Sequence, residues 1–376
     1  MPAIPFLECS RCQHHLFAEA WPTVCPICSG SFYVRYDMEK LKQSARCQDL
    51  VIRAAAFPVS LGIGRYACVL PDVPLVTLGE GGTSLLLSKR HPSLYLKDES
   101  SNPTGSCAAR GIAFSVSMAK NYGLKHVAIV SVGNSGAALA AYAAAAGLEA
   151  HVFMPKNVPQ ADYMQAVLHG THVTLVDGPI ENSVRKLDEF AQTQTAANFS
   201  SEKQPFRLEG EKTLGYELIE QLGWEYPAAI LCPADINLIA LQKAFIEMEQ
   251  LGWIKQGSAR PKLYAMHSSP QARADEELAM KIVKESGGRL IEISNEEIAK
   301  NTREWAQLEG VLLSPQGGSA TAAYDQLRAA GELRPGDKVV AINPASGLKY
   351  IDAAATAMHL RPLPTSLPVG GIITPQ

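Results

Sequence analysis

His126-Val127-Ala128-Ile129-Val130-Ser131 is an apolar run of strand length. Ser135 to Ala146 is an Ala-rich stretch of helix length, and Ala150 to Met154 is a second apolar run. Strand, helix, strand in that order needs a crossover, so the two strands are predicted to be parallel. The alternation continues in both directions. Upstream, Ser93 to Lys97 reads as a strand and Cys107 to Tyr122 as a helix. Downstream come a helix over Gln160 to His169, a strand over Thr171 to Val176 and a helix over Asn182 to Thr195. Glu209 to Leu222 and Leu238 to Leu251 read as helices around the strand Ala228 to Cys232. Lys262 to His267 is a strand, Asn295 to Glu309 and Ser319 to Ala330 are helices, and Lys338 to Asn343 is the last strand. This pattern predicts an α/β fold of parallel sheets wrapped by helices. Met38 to Ala56 reads as an amphipathic helix before the alternation begins. The tail from Leu360, with several Pro and Gly residues, is expected to be loose.

The chain has 376 residues, 47% hydrophobic and 19% charged, with a net charge of −3. That is globular composition, enough for two or three domains. The charge balance excludes a strongly basic nucleic-acid binder. The longest apolar stretch, Ala137 to Gly147, is too short for a membrane span. The first residues lack the basic region and long apolar core of a secretory signal, so a cytoplasmic protein is expected. In that compartment metal thiolates outnumber structural disulfides.

Cys9, Cys12, Cys25 and Cys28 form two Cys-x-x-Cys pairs; Cys47, Cys68, Cys107 and Cys232 are scattered. Two close pairs about a dozen residues apart suit one tetrahedral zinc, with two disulfides as the alternative. Four thiolates leave no open coordination position, so such a zinc is structural. His14 and His15 lie between the pairs and are read as loop residues rather than ligands.

Several segments together resemble threonine synthase, within the fold-type II (tryptophan synthase β-like) family of pyridoxal-phosphate enzymes. They are the four-cysteine ribbon ending in Tyr36-Asp37, the Thr77-Leu-Gly-Glu-Gly-Gly-Thr83 run, Lys97-Asp-Glu-Ser-Ser-Asn-Pro-Thr-Gly-Ser106, Ser131-Val-Gly-Asn-Ser-Gly136, Arg207-Leu-Glu-Gly-Glu-Lys-Thr213 and Gly347-Leu-Lys349. The resemblance implies a zinc ribbon over 1–37, a large α/β domain over 38–115 and 205–376, and a small α/β domain over 116–204. It also implies a homodimer.

The departures from the family fall on the chemistry. Where the family places the Schiff-base lysine, this sequence has Cys107-Ala108-Ala109-Arg110-Gly111, with Ala108 at the lysine position. The amine forms the internal aldimine and later moves protons; a methyl group does neither. The family's Gly-rich phosphate cup corresponds to Pro233-Ala-Asp235-Ile-Asn237-Leu-Ile239, which has no glycine. Glycines there let backbone N–H groups close around a phosphate. Asp235 adds a like charge, worth about 3 kcal/mol of repulsion at roughly 5 Å and an effective dielectric near 20. Pro344-Ala345 stands where the family has a hydroxyl donor to the cofactor ring. Ser268 to Ile293 looks shorter than its family counterpart, and Ser314-Pro-Gln-Gly-Gly-Ser319 replaces a run resembling Glu-Pro-Ala-Ser-Ala. Pyridoxal phosphate is therefore expected to be absent, unless Lys97, Lys212, Lys243 or Lys349 takes over.

Helices starting near Cys107 and Asn134 are expected to aim free N–H groups at the old cleft. Ser106, Asn134 and Ser135 are then candidates to hold a carboxylate or phosphate, or are simply helix caps. Cys107 is a candidate nucleophile, because a thiol at a helix N-terminus has a lowered pKa, with Arg110 adding positive potential. The alternative is a small apolar filler. His267, at a strand end, is a candidate base or a rim residue. Cys232 is read as core. Asp235 and Asn237 are expected to recognise a polar or cationic group where the phosphate would sit. The first functional expectation is a diverged, lyase- or transferase-like enzyme of amino-acid metabolism, independent of pyridoxal phosphate and acting on a small amino-acid-like or carboxylated metabolite. A partner-binding or metabolite-sensing pseudoenzyme is the second. A pyridoxal-phosphate lyase or synthase with a relocated lysine is the third.

Overall fold

The computed structural model describes residues 6–17, 21, 22, 24–46, 50, 62–194, 196–200, 204–266 and 274–357. The N-terminal segment is a three-stranded antiparallel sheet of β1 (Phe6–Cys9), β2 (His15–Leu16) and β3 (Phe32–Arg35), in the order β2-β1-β3. His15 belongs to β2 rather than a loop and pairs with Glu8 at 3.3 Å. Helix α1 (Met38–Ser44) is capped by Asp37, which accepts a hydrogen bond from Lys40 N. It ends at Ser44, where Ala45 turns extended and its carbonyl accepts a hydrogen bond from Trp253 Nε1 at 3.3 Å; Leu50 is again helical, and the rest of the helix predicted to Ala56 lies outside the described residues.

The α/β core then runs β4 (Ser84–Leu87), β5 (Leu94–Asp98), α2 (Ala108–Asn121), β6 (His126–Val130), α3 (Asn134–Ala146), β7 (Glu149–Pro155), α4 (Gln160–Leu168), β8 (His172–Val176), α5 (Ile180–Thr193) and β9 (Ala197–Asn198). It continues through α6 (Pro205–Glu211), α7 (Thr213–Gln221), β10 (Ala229–Pro233), α8 (Ile236–Leu251), β11 (Lys262–Met266), α9 (Ala274–Glu285), β12 (Leu290–Ile291), α10 (Asn295–Leu308), α11 (Pro315–Ala329), β13 (Val339–Asn343) and α12 (Ile351–Ala357). One sheet has the order β12-β11-β10-β13-β5-β4, parallel except for the antiparallel edge strand β4. The other, β8-β7-β6-β9, is parallel throughout. Strands β10 and β13 are buried along their whole length, as expected of strands covered on both faces.

The helix predicted from Glu209 begins earlier, at Pro205 behind a Gln204 cap, and breaks at Lys212 into α6 and α7. Its packing sets the floor of the cleft. A Cβ on Gly210 would fall 2.2 Å from the Arg110 carbonyl oxygen, and one on Gly111 would fall 2.8 Å from Arg207 Cγ. Only a glycine pair lets α2 and α6 come this close, and the approach carries Arg207 and Glu211 to the end of the sheet.

Two buried charge clusters lock the frame. Arg110 bonds Glu99 through Nε at 2.7 Å and Glu217 through Nη1 at 3.0 Å, and Lys97 Nζ bonds Glu217 at 2.6 Å. Burial alone would raise the Glu217 pKa; Arg110 and Lys97 hold it well below the usual carboxylate range. Backbone N–H groups of Gly82 and Thr83 also donate to Glu217, so the Gly-rich run there seats a carboxylate of the chain itself. In the second cluster Lys212 and Lys243 share Glu209 and Glu247 over 2.5–3.1 Å. Tyr36, just past the ribbon, donates its hydroxyl to Glu209, which ties the ribbon to the core.

Candidate active-site cleft

A cleft of about 210 Å³ opens at the C-terminal ends of the strands in both sheets, where parallel α/β folds place their ligands. Cys107 and Ala108 enter it from the start of α2, and Ser131, Asn134 and Ser135 from the β6–α3 turn. Arg207 and Glu211 come from α6, Asp235 and Asn237 from the start of α8. Gln316, Pro344 and Tyr350 close the far side.

The β6–α3 turn depends on Gly133, whose φ is 147°; a Cβ there would meet Asp162 Oδ2 at 2.5 Å. Ser131 Oγ accepts hydrogen bonds from Gly133 N at 3.1 Å and Gly136 N at 2.9 Å, which leaves the N–H groups of Asn134 and Ser135 as the free donors at the start of α3. Ser135 Oγ accepts a hydrogen bond from Arg207 Nη2 at 2.7 Å, while the buried Arg207 Nε has no hydrogen-bond partner. Asn134 Nδ2 donates to the Tyr350 hydroxyl at 2.9 Å, and its Oδ1 has no hydrogen-bond partner. Opposite in character is the start of α8. Asp235 caps that helix, accepting a hydrogen bond from Asn237 N at 2.9 Å, and Asn237 Nδ2 donates to Asp235 Oδ1 at the same distance. Buried oxygens of Asn237, Glu211 and Gln316 lack hydrogen-bond partners. One side of the cleft is cationic, and the other is rich in acceptors.

Glu211 is a perturbed acid in the cleft. Burial pushes its pKa up to about 8; Arg207 opposes the shift and Asp235 adds to it. The group holds a proton at neutral pH.

Several sequence expectations are corrected. Cys107 does precede α2, and its surroundings favour the filler reading over the nucleophile. Its thiol is buried, and burial together with Glu211, Asp235 and Glu99 pushes its pKa well up. Burial and the acidic groups outweigh the helix N-terminus, and the thiol sits 3.6 Å from Asn237 Nδ2. Arg110 presents no free guanidinium to the cleft, because it is paired with Glu99 and Glu217. Ser106 is fully buried and bridges Ala345; its hydroxyl has no hydrogen-bond partner. Cys232 is core, as read. His267 lies outside the described residues. Arg207 and Glu211 stood inside a quoted motif, yet sequence reasoning assigned them no role. The signal was four charges in the six residues from Arg207 to Lys212.

Lysine does not line the cleft among the described residues. Lys97, Lys212 and Lys243 belong to the two ion clusters. Lys349, beside Tyr350, bonds Asp162 at 2.6 Å and the Thr104 carbonyl at 2.8 Å.

Away from the cleft, the four ribbon sulfurs gather. Cys9 to Cys28 is 3.4 Å, Cys12 to Cys25 is 3.6 Å and Cys12 to Cys28 is 3.5 Å. A disulfide needs about 2.05 Å. Tetrahedral zinc with bonds near 2.3 Å spaces its sulfurs about 3.8 Å apart, so the arrangement fits a zinc and not two disulfides. Among the described residues no helix is long and apolar enough to cross a membrane.

Comparison with known proteins agrees with this geometry. Residues 76–345 match the family described as pyridoxal-phosphate dependent enzyme. Threonine synthase of Methanocaldococcus jannaschii is 30% identical over 88% of this chain and 89% of its own length. Threonine synthase of Mycobacterium tuberculosis is 30% identical over 82% and 92%. Among solved structures, a mutant of O-ureido-L-serine synthase with O-ureido-L-serine bound has a TM-score of 0.61 at 18% identity, covering 73% of this chain and 91% of that one. Escherichia coli diaminopropionate ammonia lyase in its apo form reaches 0.63 at 16%, over 75% and 87%. The two likenesses in structure speak for the fold, and the sequence matches go further: the chain belongs to the pyridoxal-phosphate dependent enzyme family, as a threonine synthase-like member.

Proposed function

We propose that this chain is a diverged threonine synthase-like enzyme that uses the cleft on a small amino-acid-like or carboxylated metabolite, without pyridoxal phosphate. The observation that carries this reading is the Asp235 carboxylate at the start of α8, hydrogen-bonded to Asn237 N. The resemblance puts the phosphate cup there, and an internal anion already occupies the helix end. Two further features support it. The resemblance puts Ala108 at the family's lysine position, and the lysines nearby are engaged in ion pairs. The residues present do not fit pyridoxal phosphate held in the family's manner, so no step is routed through it.

What the residues fit is a zwitterion. A carboxylate would meet Arg207, the Ser135 side chain and the N–H groups of Asn134 and Ser135 in the first turn of α3. An ammonium or amide would meet Asp235 and the bare oxygen of Asn237. Glu211 would hold or deliver a proton at Oε2, which has no hydrogen-bond partner. A second reading rests on Lys349, whose pKa burial lowers despite Asp162: a relocated amine beside the cleft.

The test begins with absorbance spectra of purified protein with added pyridoxal phosphate, followed by borohydride reduction and mass mapping. A colourless, unmodified protein is expected; a trapped adduct on Lys349 would establish the second reading instead. Calorimetry then follows with L-amino acids and their deaminated and decarboxylated analogues. Zwitterions should bind, and loss of either charge should weaken binding at least tenfold. Equal binding of all three classes would sink the zwitterion assignment. Binding without turnover of any ligand would favour a sensing pseudoenzyme.

A further inference from the structure

A cluster outside the cleft has ligand chemistry of its own. His126 opens β6, Glu149 and His151 lie two apart on β7, and His172 opens β8. The parallel register pairs His126 with Glu149 and His151 with His172. Strand periodicity therefore puts all four side chains on one face of the small sheet. We infer that His126, Glu149, His151 and His172 form a divalent transition-metal site of the zinc class.

The distances carry the argument. Glu149 Oε2 is 3.5 Å from His126 Nδ1, and Glu149 Oε1 is 3.1 Å from His151 Nε2 and 3.5 Å from His172 Nε2. Tetrahedral coordination with bonds of about 2.1 Å spaces its donor atoms about 3.4 Å apart. The donor atoms of His126, Glu149 and His151 lie within 4.8 Å of one another. His126 Nδ1 is buried and makes no hydrogen bond, a lone pair aimed into the cluster.

Hydrogen bonding to Glu149 does not account for three imidazoles. The His151 and His172 rings stack at 4.8 Å with an 18° tilt, a poor arrangement for two cations. Phe190 of α5 packs on His151 at 4.4 Å and fixes its orientation. The side chain of His151 is 12% exposed and that of His172 is 64% exposed, so the site has a rigid inner ligand and an open entry.

The cluster lies at the N-terminal ends of the strands, whereas the cleft lies at their C-terminal ends, about 13 Å along β6. The metal would clip β6, β7 and β8 together rather than take part in cleft chemistry. Imidazole and carboxylate donors suit zinc, nickel or copper over magnesium or calcium.

The test is metal stoichiometry of the full chain by equilibrium dialysis against micromolar zinc. Two zinc ions per chain are expected, one in the ribbon and one here. His151→Ala should hold one. His172→Gln and His126→Gln, on more exposed positions, should lower affinity for the second zinc at least tenfold while circular dichroism stays unchanged. As a second readout, the chain loaded with two cobalt ions should lose one in His172→Gln while its thiolate-to-cobalt absorption remains. A wild type that stops at one zinc, or histidine variants that keep both, would overturn the assignment.

Discussion

The Asp235 carboxylate and the Asn237 backbone N–H, 2.9 Å apart, close the N-terminus of α8 from within. A helix start that is free in its N–H groups binds anions; one satisfied by its own carboxylate repels them. Asp235→Gly costs the cap only a few tenths of a kcal/mol, since glycine is itself tolerated there. Inorganic phosphate is expected to raise the melting temperature of the variant and leave the wild type unchanged. A wild type stabilised by phosphate to the same degree would mean that Asp235 is no barrier.

Glu211 gives a pH signature. Its folded pKa, raised to about 8, lies above the ordinary value of 4.5. The neutral form is favoured on folding, so its contribution is fully present below pH 4.5, declines through the window up to about 8 and is gone above it. The full difference amounts to at most about 5 kcal/mol. Glu211→Gln keeps the shape and removes the titration. Urea unfolding at pH 5, 7 and 9 should show the variant gaining on the wild type as pH rises. Parallel curves would place the Glu211 pKa near its ordinary value.

Two arginines separate frame from cleft. Arg110 is enclosed by Glu99 and Glu217, and Arg110→Leu leaves two buried carboxylates with Lys97 as their remaining cation. Breaking such a cluster costs about 3–5 kcal/mol, to be read from urea midpoints. Arg207→Gln should cost much less stability but weaken carboxylate binding at least tenfold in calorimetry. Reversed effects would exchange the two roles.

The apolar runs of β6 and β10 were legible in the sequence because a strand covered on both faces needs continuous apolar residues, and that need is local. The Cys-x-x-Cys pairs were legible because ligand spacing is written along the chain. Arg110 was not. Its place after Cys107 suggested a role at the helix start, but the direction of its guanidinium is set by Glu217, far along the chain. The nucleophile reading of Cys107 was misleading for the same reason: a helix N-terminus lowers a thiol pKa, and the burial and acids that oppose the effect arrive only with the tertiary fold. Glu211 was visible as a residue, but its burial against α2 depends on the meeting of Gly111 and Gly210. The antiparallel edge strand Ser84–Leu87 carries no alternation to read and takes its form from pairing with β5.

Zinc removal should be felt in the core. The ribbon has few strands and a small apolar interior, so its fold leans on the metal. Tyr36, the first residue after β3, donates to Glu209, and Lys212 and Lys243 pack over its ring at 4.5 and 5.5 Å. Unfolding of the ribbon would release Tyr36 and expose one side of a cluster holding two lysines and two glutamates. Chelation, or Cys12→Ser, is therefore expected to raise hydrogen exchange in residues 6–35 first and then in α6 and α8. Tyr36→Phe should leave zinc content unchanged while weakening that coupling, because the ring stays and the hydrogen bond to Glu209 goes. If chelation loosens residues 6–35 and α8 keeps its protection, the ribbon is an independent unit and the Tyr36 contact does not transmit its unfolding.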